Sequence, residues 1–183
     1  MKRTFFVAMV LFIAVGRVSL AVSPIVTNQS DVIGITMPLY GVDKSKPAAL
    51  LHVGKASIGA QRQGFLRVGI LPLLVLSKVE IDFASKPADV AALAYLATAF
   101  ETLGETSAAE LHDVTIVVCG QPVLIASQGK LAADASVRLW KVILTSQAAH
   151  PLDAVTLHTT GAKAGEVTYQ SNNGPQTENL FVK

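Results

Sequence analysis

Residues 65–83, FLRVGILPLLVLSKVEIDF, form a dense apolar stretch on which the fold reading turns. Leu66, Val68 and Ile70 alternate with other residues in the period of a strand. Pro72 then interrupts and demands a sheet edge or a bulge, because it donates no ladder hydrogen bond. Val79, Ile81 and Phe83 alternate with Lys78, Glu80 and Asp82, so this half predicts a strand with one buried and one wet face. The middle, ILPLLVL, has no wet face. It is covered on both sides or faces something apolar.

The residues just beyond change period. Pro87 to Leu103 predicts a helix, with Pro87 in the first turn and Asp89 where the helix dipole favours an acid. Val90, Leu93, Ala97 and Phe100 recur at helical spacing, and Leu96 and Leu103 widen the stripe. Gly104 suits the C-terminal cap. Strand patterns lie on both sides. Val32 to Leu39 and Leu50 to Ile58 precede, with Gly54 a weak point or bulge in the second. Val114 to Val118, a turn at Gly120-Gln121-Pro122, Val123 to Ala126 and Val137 to Thr145 follow. In Val137 to Thr145, strict alternation puts Val137, Leu139 and Ile143 on one face. Trp140, Val142 and Leu144 lie on the other beside Arg138, so both faces are expected to be covered. Val155 to His158 and Val167 to Tyr169 read as a final pair. Strands, one helix and more strands give an α+β domain, mostly antiparallel sheet with one main helix over about 87–103 packed on it. The expected organisation is a leader over 1–21, one domain over 22–170 and a loose polar tail over 171–183.

The leader reading rests on MKRTFFVAMVLFIAVGRVSLA. Lys2 and Arg3 precede an apolar run over Thr4 to Val15, and Ser19-Leu20-Ala21 offers small residues at a cleavage site. A run of about 12 apolar residues falls short of the roughly 20 that span a bilayer. The expected location is therefore the periplasm or the cell surface. The alternative is an inner-membrane anchor over residues 4–22, with Arg17 snorkelling. Without Lys2, Arg3 and Arg17, the 15 basic residues fall to 12 against 13 acids. A near-neutral chain without a basic cluster argues against nucleic acid as partner. The one cysteine, Cys119 in VTIVVC, excludes an internal disulfide and reads as a buried small apolar residue.

No motif names a chemistry. His52, His112, His150 and His158 lack the spacing of a helical zinc site, and no cysteine pair exists. Cys119 and His112 have opposite strand parity, against a nucleophile–base pair. No G-x-S-x-G surrounds any serine. Gly54-Lys55-Ala56-Ser57 lacks the glycine that opens a phosphate loop, since Ala49 stands there. Distant carboxylates for glycoside chemistry stay open, although three tyrosines and one tryptophan are a poor supply of sugar-stacking surfaces. Catalytic, cofactor and metal residues are therefore expected to be none.

Two stretches carry a family resemblance. Residues 48–87, AALLHVGKASIGAQRQGFLRVGILPLLVLSKVEIDFASKP, resemble the recurring unit of AsmA-like envelope proteins. Residues 111–160, with PVLIASQGKLAADASVRLWKVILT, are similar in rhythm to periplasmic lipopolysaccharide-transport proteins. The resemblance implies a β-groove or jelly roll whose inner face carries lipid. It transfers no site residue, and the helix departs from the pattern. The expectation is an exported, non-enzymatic envelope protein that binds lipid or docks on an envelope-transport complex. Ile70, Leu71, Leu73, Leu74 and Leu76 are the expected apolar ligand-facing residues. A small periplasmic hydrolase with a site assembled from separated residues is the alternative, as is a structural or adhesive subunit pairing through an edge strand. The leader makes a direct prediction. Intact mass of the exported protein should start at Val22, and a species retaining residues 2–21 would contradict cleavage.

Overall fold

The computed structural model describes residues 31–63, 66–85, 88–104, 109–132, 134–147 and 151–181, with backbone alone for 60–63, 66–72, 101 and 104. The leader, Pro87 and His150 lie outside them. Among the described residues, nine strands form one sheet in sequence order. They are β1 (Val32–Tyr40), β2 (Pro47–Gln63), β3 (Leu66–Phe83), β4 (Ala109–Val118), β5 (Gln121–Leu131), β6 (Val137–Leu144), β7 (Leu152–Leu157), β8 (Glu166–Ser171) and β9 (Gly174–Asn179). Every neighbouring pair is antiparallel except β3 and β4, which run parallel. Parallel neighbours need a long crossover. Here it carries a 3-10 turn, Val90–Tyr95, that runs into α1 (Leu96–Gly104). The chain is thus α+β and mostly antiparallel, as the sequence predicts.

The helix differs from expectation in its first half. Three residues per turn in the 3-10 segment shift the phase of the apolar stripe. Ala92, Leu93, Leu96, Ala99 and Phe100 are buried, while Val90, Ala97 and Leu103 are only partly so. Asp89 starts the segment as its cap. Its carboxylate accepts from Ala91 N at 3.1 Å and from Val42 N at 2.7 Å, joining the helix entry to the loop after β1. Gly41 is required there, because a Cβ would lie 1.8 Å from Asp89 Oδ2.

Pro72 sits inside β3, which continues past it. The register of β2 against β3 shifts between Ala60 and Gln61, directly opposite, so the expected bulge is present. The expected loose tail is a strand. Residues 174–179 pair with β8, and beyond them Leu180 N donates to Gly165 O at 3.1 Å. Phe181 is buried and meets Phe83 edge-on, with ring centroids 5.0 Å apart. One aromatic anchor therefore offsets the ordering of a polar segment.

The second departure concerns alternation. In β3, Leu74 and Leu76 are buried, then Val79, Ile81 and Phe83. In β4, Leu111 is followed by Val114; in β6, Leu139 by Val142; in β2, Val53 by Ala56. In β5, Ala126 is followed by Gly129, and in β7 half-buried Leu152 by Val155. The inward spacing is three at one point in each of these six strands, rather than two. The skipped pairs Gly54/Lys55, Ser77/Lys78, His112/Asp113, Ser127/Gln128, Trp140/Lys141 and Asp153/Ala154 lie side by side across the sheet.

The cause is local. Gly34, Lys78, Asp113 and Lys141 have φ of 71, 55, 53 and 54°. They fall on one cross-strand row, and all belong to the strands running in one direction: β1, β3, β4 and β6. A left-handed residue inside an extended chain resets the pleat and bends the strand, as bulges and glycine kinks do. The aligned kinks form a crease across the sheet. For a residue with a Cβ this conformation costs about 1–2 kcal/mol, so three such residues need compensation from the apolar core on both sides of the crease. That β6 is buried on one face only follows directly, correcting the expectation of two covered faces.

The crease reverses the usual substitution order of an exposed strand. Lys141→Gly is expected to leave stability unchanged or raise it by up to about 1 kcal/mol, and Lys141→Val to lower it by about 1–2 kcal/mol. Urea denaturation measures both. Valine more stable than glycine, the order of an ordinary strand, would contradict the crease.

Candidate functional site on the outer sheet face

The residues expected to face an apolar ligand lie elsewhere than a groove. Leu74 and Leu76 belong to the core beside α1, and Leu73 is 6% exposed. The side chains of Ile70 and Leu71 lie outside the described ones. Neither groove described below is lined by Leu73, Leu74 or Leu76. The inner face is filled by the core side chains of sheet and helix.

The outer face carries the polar side chains. Trp140, the only tryptophan, is 36% exposed. Alternation carried back from Leu144 and Val142 would bury it; the kink at Lys141 turns it outward. Across β5 it faces Gln128, and across β7 it faces Ala154, whose methyl group is too small to cover an indole. Two open grooves flank the ring. One, of about 340 Å³, is lined by Arg138, Trp140, Thr156, Thr168, Gln170 and Pro175 among others. The other, of about 190 Å³, is lined by Glu110, His112, Gln128, Lys130 and Trp140 with Leu111 and Gly129 at its base.

Register explains this grouping. Strand neighbours place Glu110, Lys130, Arg138, Thr156, Thr168 and Thr177 in one row. His112, Gln128, Trp140 and Ala154 form the adjacent row. Gly129 is buried between Leu111 and Leu139, and a Cβ there would lie 2.8 Å from Leu139 Cδ2. Its absence leaves room for the side chains of Leu139 and Leu111. Thr168 is held by a 3.2 Å hydrogen bond between its Oγ1 and His158 Nε2.

Among the described residues, two of the histidines bond to threonines on separate strands. His52 shares a 3.0 Å hydrogen bond with Thr36 Oγ1, and His158 bonds Thr168. Among the described residues, no group of three or more His, Cys, Asp or Glu side chains is placed to hold a metal ion. Cys119 is exposed, correcting the expected burial. With φ of 51° it forms, with Gly120 at 73°, the two-residue hairpin turn between β4 and β5. That places the turn one residue earlier than expected, and β5 begins at Gln121.

A tight turn joins β5 to β6. Asp134 Oδ1 accepts from Ser136 Oγ at 2.6 Å and from Ser136 N at 3.0 Å. The Ser136 hydroxyl, then its amide, hold the Asp134 carboxyl below its ordinary value of 3.8, with a smaller contribution from the charge of Arg138. Ala135, at φ 63°, accepts through its carbonyl from Thr159 Oγ1 at 2.5 Å.

The sequence signal for this site was a count of aromatic residues, which carries no information on exposure. Compared with family models, curated proteins and solved structures, the chain matches none.

The Asp134 turn makes a pH prediction. A depressed folded pKa contributes stability above 3.8 that is lost as pH falls through 3.8 toward the folded value. Ser136→Ala removes the main cause, so the Asp134 carboxyl should titrate closer to 3.8 by NMR. An unchanged titration would contradict the assignment.

Proposed function

We infer that the chain is an exported, non-catalytic binding domain that recognises saccharide through its outer sheet face. One observation carries this reading: the sole tryptophan is partly exposed on the outer sheet face, between two open grooves bordered by amides and hydroxyls. Sugar rings present an apolar C–H face and a rim of hydroxyls. An exposed aromatic ring takes the first, and Gln128, Thr156, Thr168 and Gln170 suit the second. The grooves are shallow and open, which suits a chain that passes across the face more than a small molecule enclosed on all sides.

The expectation of lipid binding is less well supported. Of its apolar residues with described side chains, Leu74 and Leu76 are part of the core and Leu73 is buried. Docking on an envelope assembly stays compatible with a saccharide-binding face, since envelope polysaccharide is one such surface.

Trp140 is its own reporter. Emission should shift on titration with at least one of chitohexaose, maltohexaose and a galacturonate hexamer. Calorimetry should show the same binding weakened at least tenfold by Trp140→Ala and unchanged by Ile143→Ser, an outer-face substitution beyond the crease. Released reducing ends should not accumulate. Failure of all three oligosaccharides to bind, or full binding by Trp140→Ala, would overturn the reading.

A further inference from the structure

We propose that the Trp140 face is built for an acidic saccharide, one whose rings carry a carboxylate or sulfate, with Lys130 and Arg138 as its anion-binding pair. This rests on the saccharide reading above and specifies its ligand.

The two cations lie directly opposite each other across β5 and β6. Sheet geometry brings such side chains to about 4.5–5.5 Å at Cβ, and like charges so placed repel. Both are exposed, and neither forms an ion pair with any described residue. Two acids stand near. Glu110 is opposite Lys130 across β4, and Asp134 feels the charge of Arg138 while its carboxylate is engaged by Ser136. Neither acid lies within ion-pair distance of Lys130 or Arg138 among the described residues.

The arrangement around the pair is specific. Gln128 is two residues before Lys130, Trp140 is two after Arg138, and Gln128 faces Trp140. The four side chains thus form a square on one face, two cations above an amide and an indole. Lys130 lines the smaller groove and Arg138 the larger, with Trp140 lining both. A ring stacked on the indole would bring its acidic substituent to the cations in the adjacent row. Arg138 offers the paired N–H donors that match a carboxylate, and Lys130 supplies a compact charge. An anion placed between them relieves the repulsion that the free protein retains.

The test titrates the full chain with a galacturonate hexamer, maltohexaose and inorganic polyphosphate, using Trp140 emission and calorimetry. The acidic hexamer should bind at least tenfold more tightly than maltohexaose at low salt, and the difference should shrink as salt screens the cations. Lys130→Gln/Arg138→Gln should lose that advantage, the two hexamers binding this variant about equally, while it keeps the circular dichroism of the parent. Polyphosphate, an anion without a sugar ring, should bind more weakly than the acidic hexamer. Equal affinity for the acidic and neutral hexamers overturns this proposal and leaves the saccharide reading standing. Polyphosphate binding as tight as the acidic hexamer, and indifferent to Trp140→Ala, also overturns it by reducing the site to charge alone. Failure of every saccharide overturns both.

Discussion

The fold depends on one backbone constraint, the alignment of left-handed residues across the sheet. A single kink in a strand changes which side chains face inward, and would misplace half of that strand if its neighbours continued straight. Here Gly34, Lys78, Asp113 and Lys141 kink in register, so the inward set changes together from β2 to β7. The restriction to β1, β3, β4 and β6 has a directional logic. Strands running the same way present the same backbone geometry to the crease, while β2, β5 and β7 cross it in the opposite sense. Conformational cost borne by three residues with side chains is recovered by a core that stays continuous through the bend.

The same constraint connects fold to function. Each strand that crosses the crease exposes two consecutive residues, so a band of paired outward positions runs across the sheet. Most are charged or polar. Trp140 is the one aromatic residue among them, and it is outward because Lys141 follows it. The cations of the neighbouring row owe their juxtaposition to the uninterrupted register of β5 and β6. A kink sets the aromatic ring, and regular pairing sets the charges beside it.

Much of the architecture is legible in the residues. The helix after Phe83, the bulge required by Pro72, the pairing of Val155–His158 with Val167–Tyr169 and the mostly antiparallel class all follow from local pattern. Alternation fails where the backbone leaves the extended region. Lysine and aspartate do not advertise a left-handed conformation as glycine does, so the two faces of Val137–Leu144 cannot be separated by counting in twos. The polar tail hides its order in one residue, Phe181, whose partner Phe83 is almost a hundred positions away. The binding face is less legible still. Lys130, Arg138, Gln128 and Trp140 are unremarkable in sequence, and only strand register makes them a square.

The most direct measurement is of the backbone at Lys78, Asp113 and Lys141 in solution. A positive φ brings a residue's own amide and α protons close together, whereas extended backbone holds them apart. NMR should therefore give strong intraresidue amide-to-α cross-peaks at these three residues, and weak ones at Ser127 and Asp153 on the oppositely directed strands. Weak cross-peaks at all five would mean uninterrupted strands, and would contradict both the crease and its account of why Trp140 faces outward.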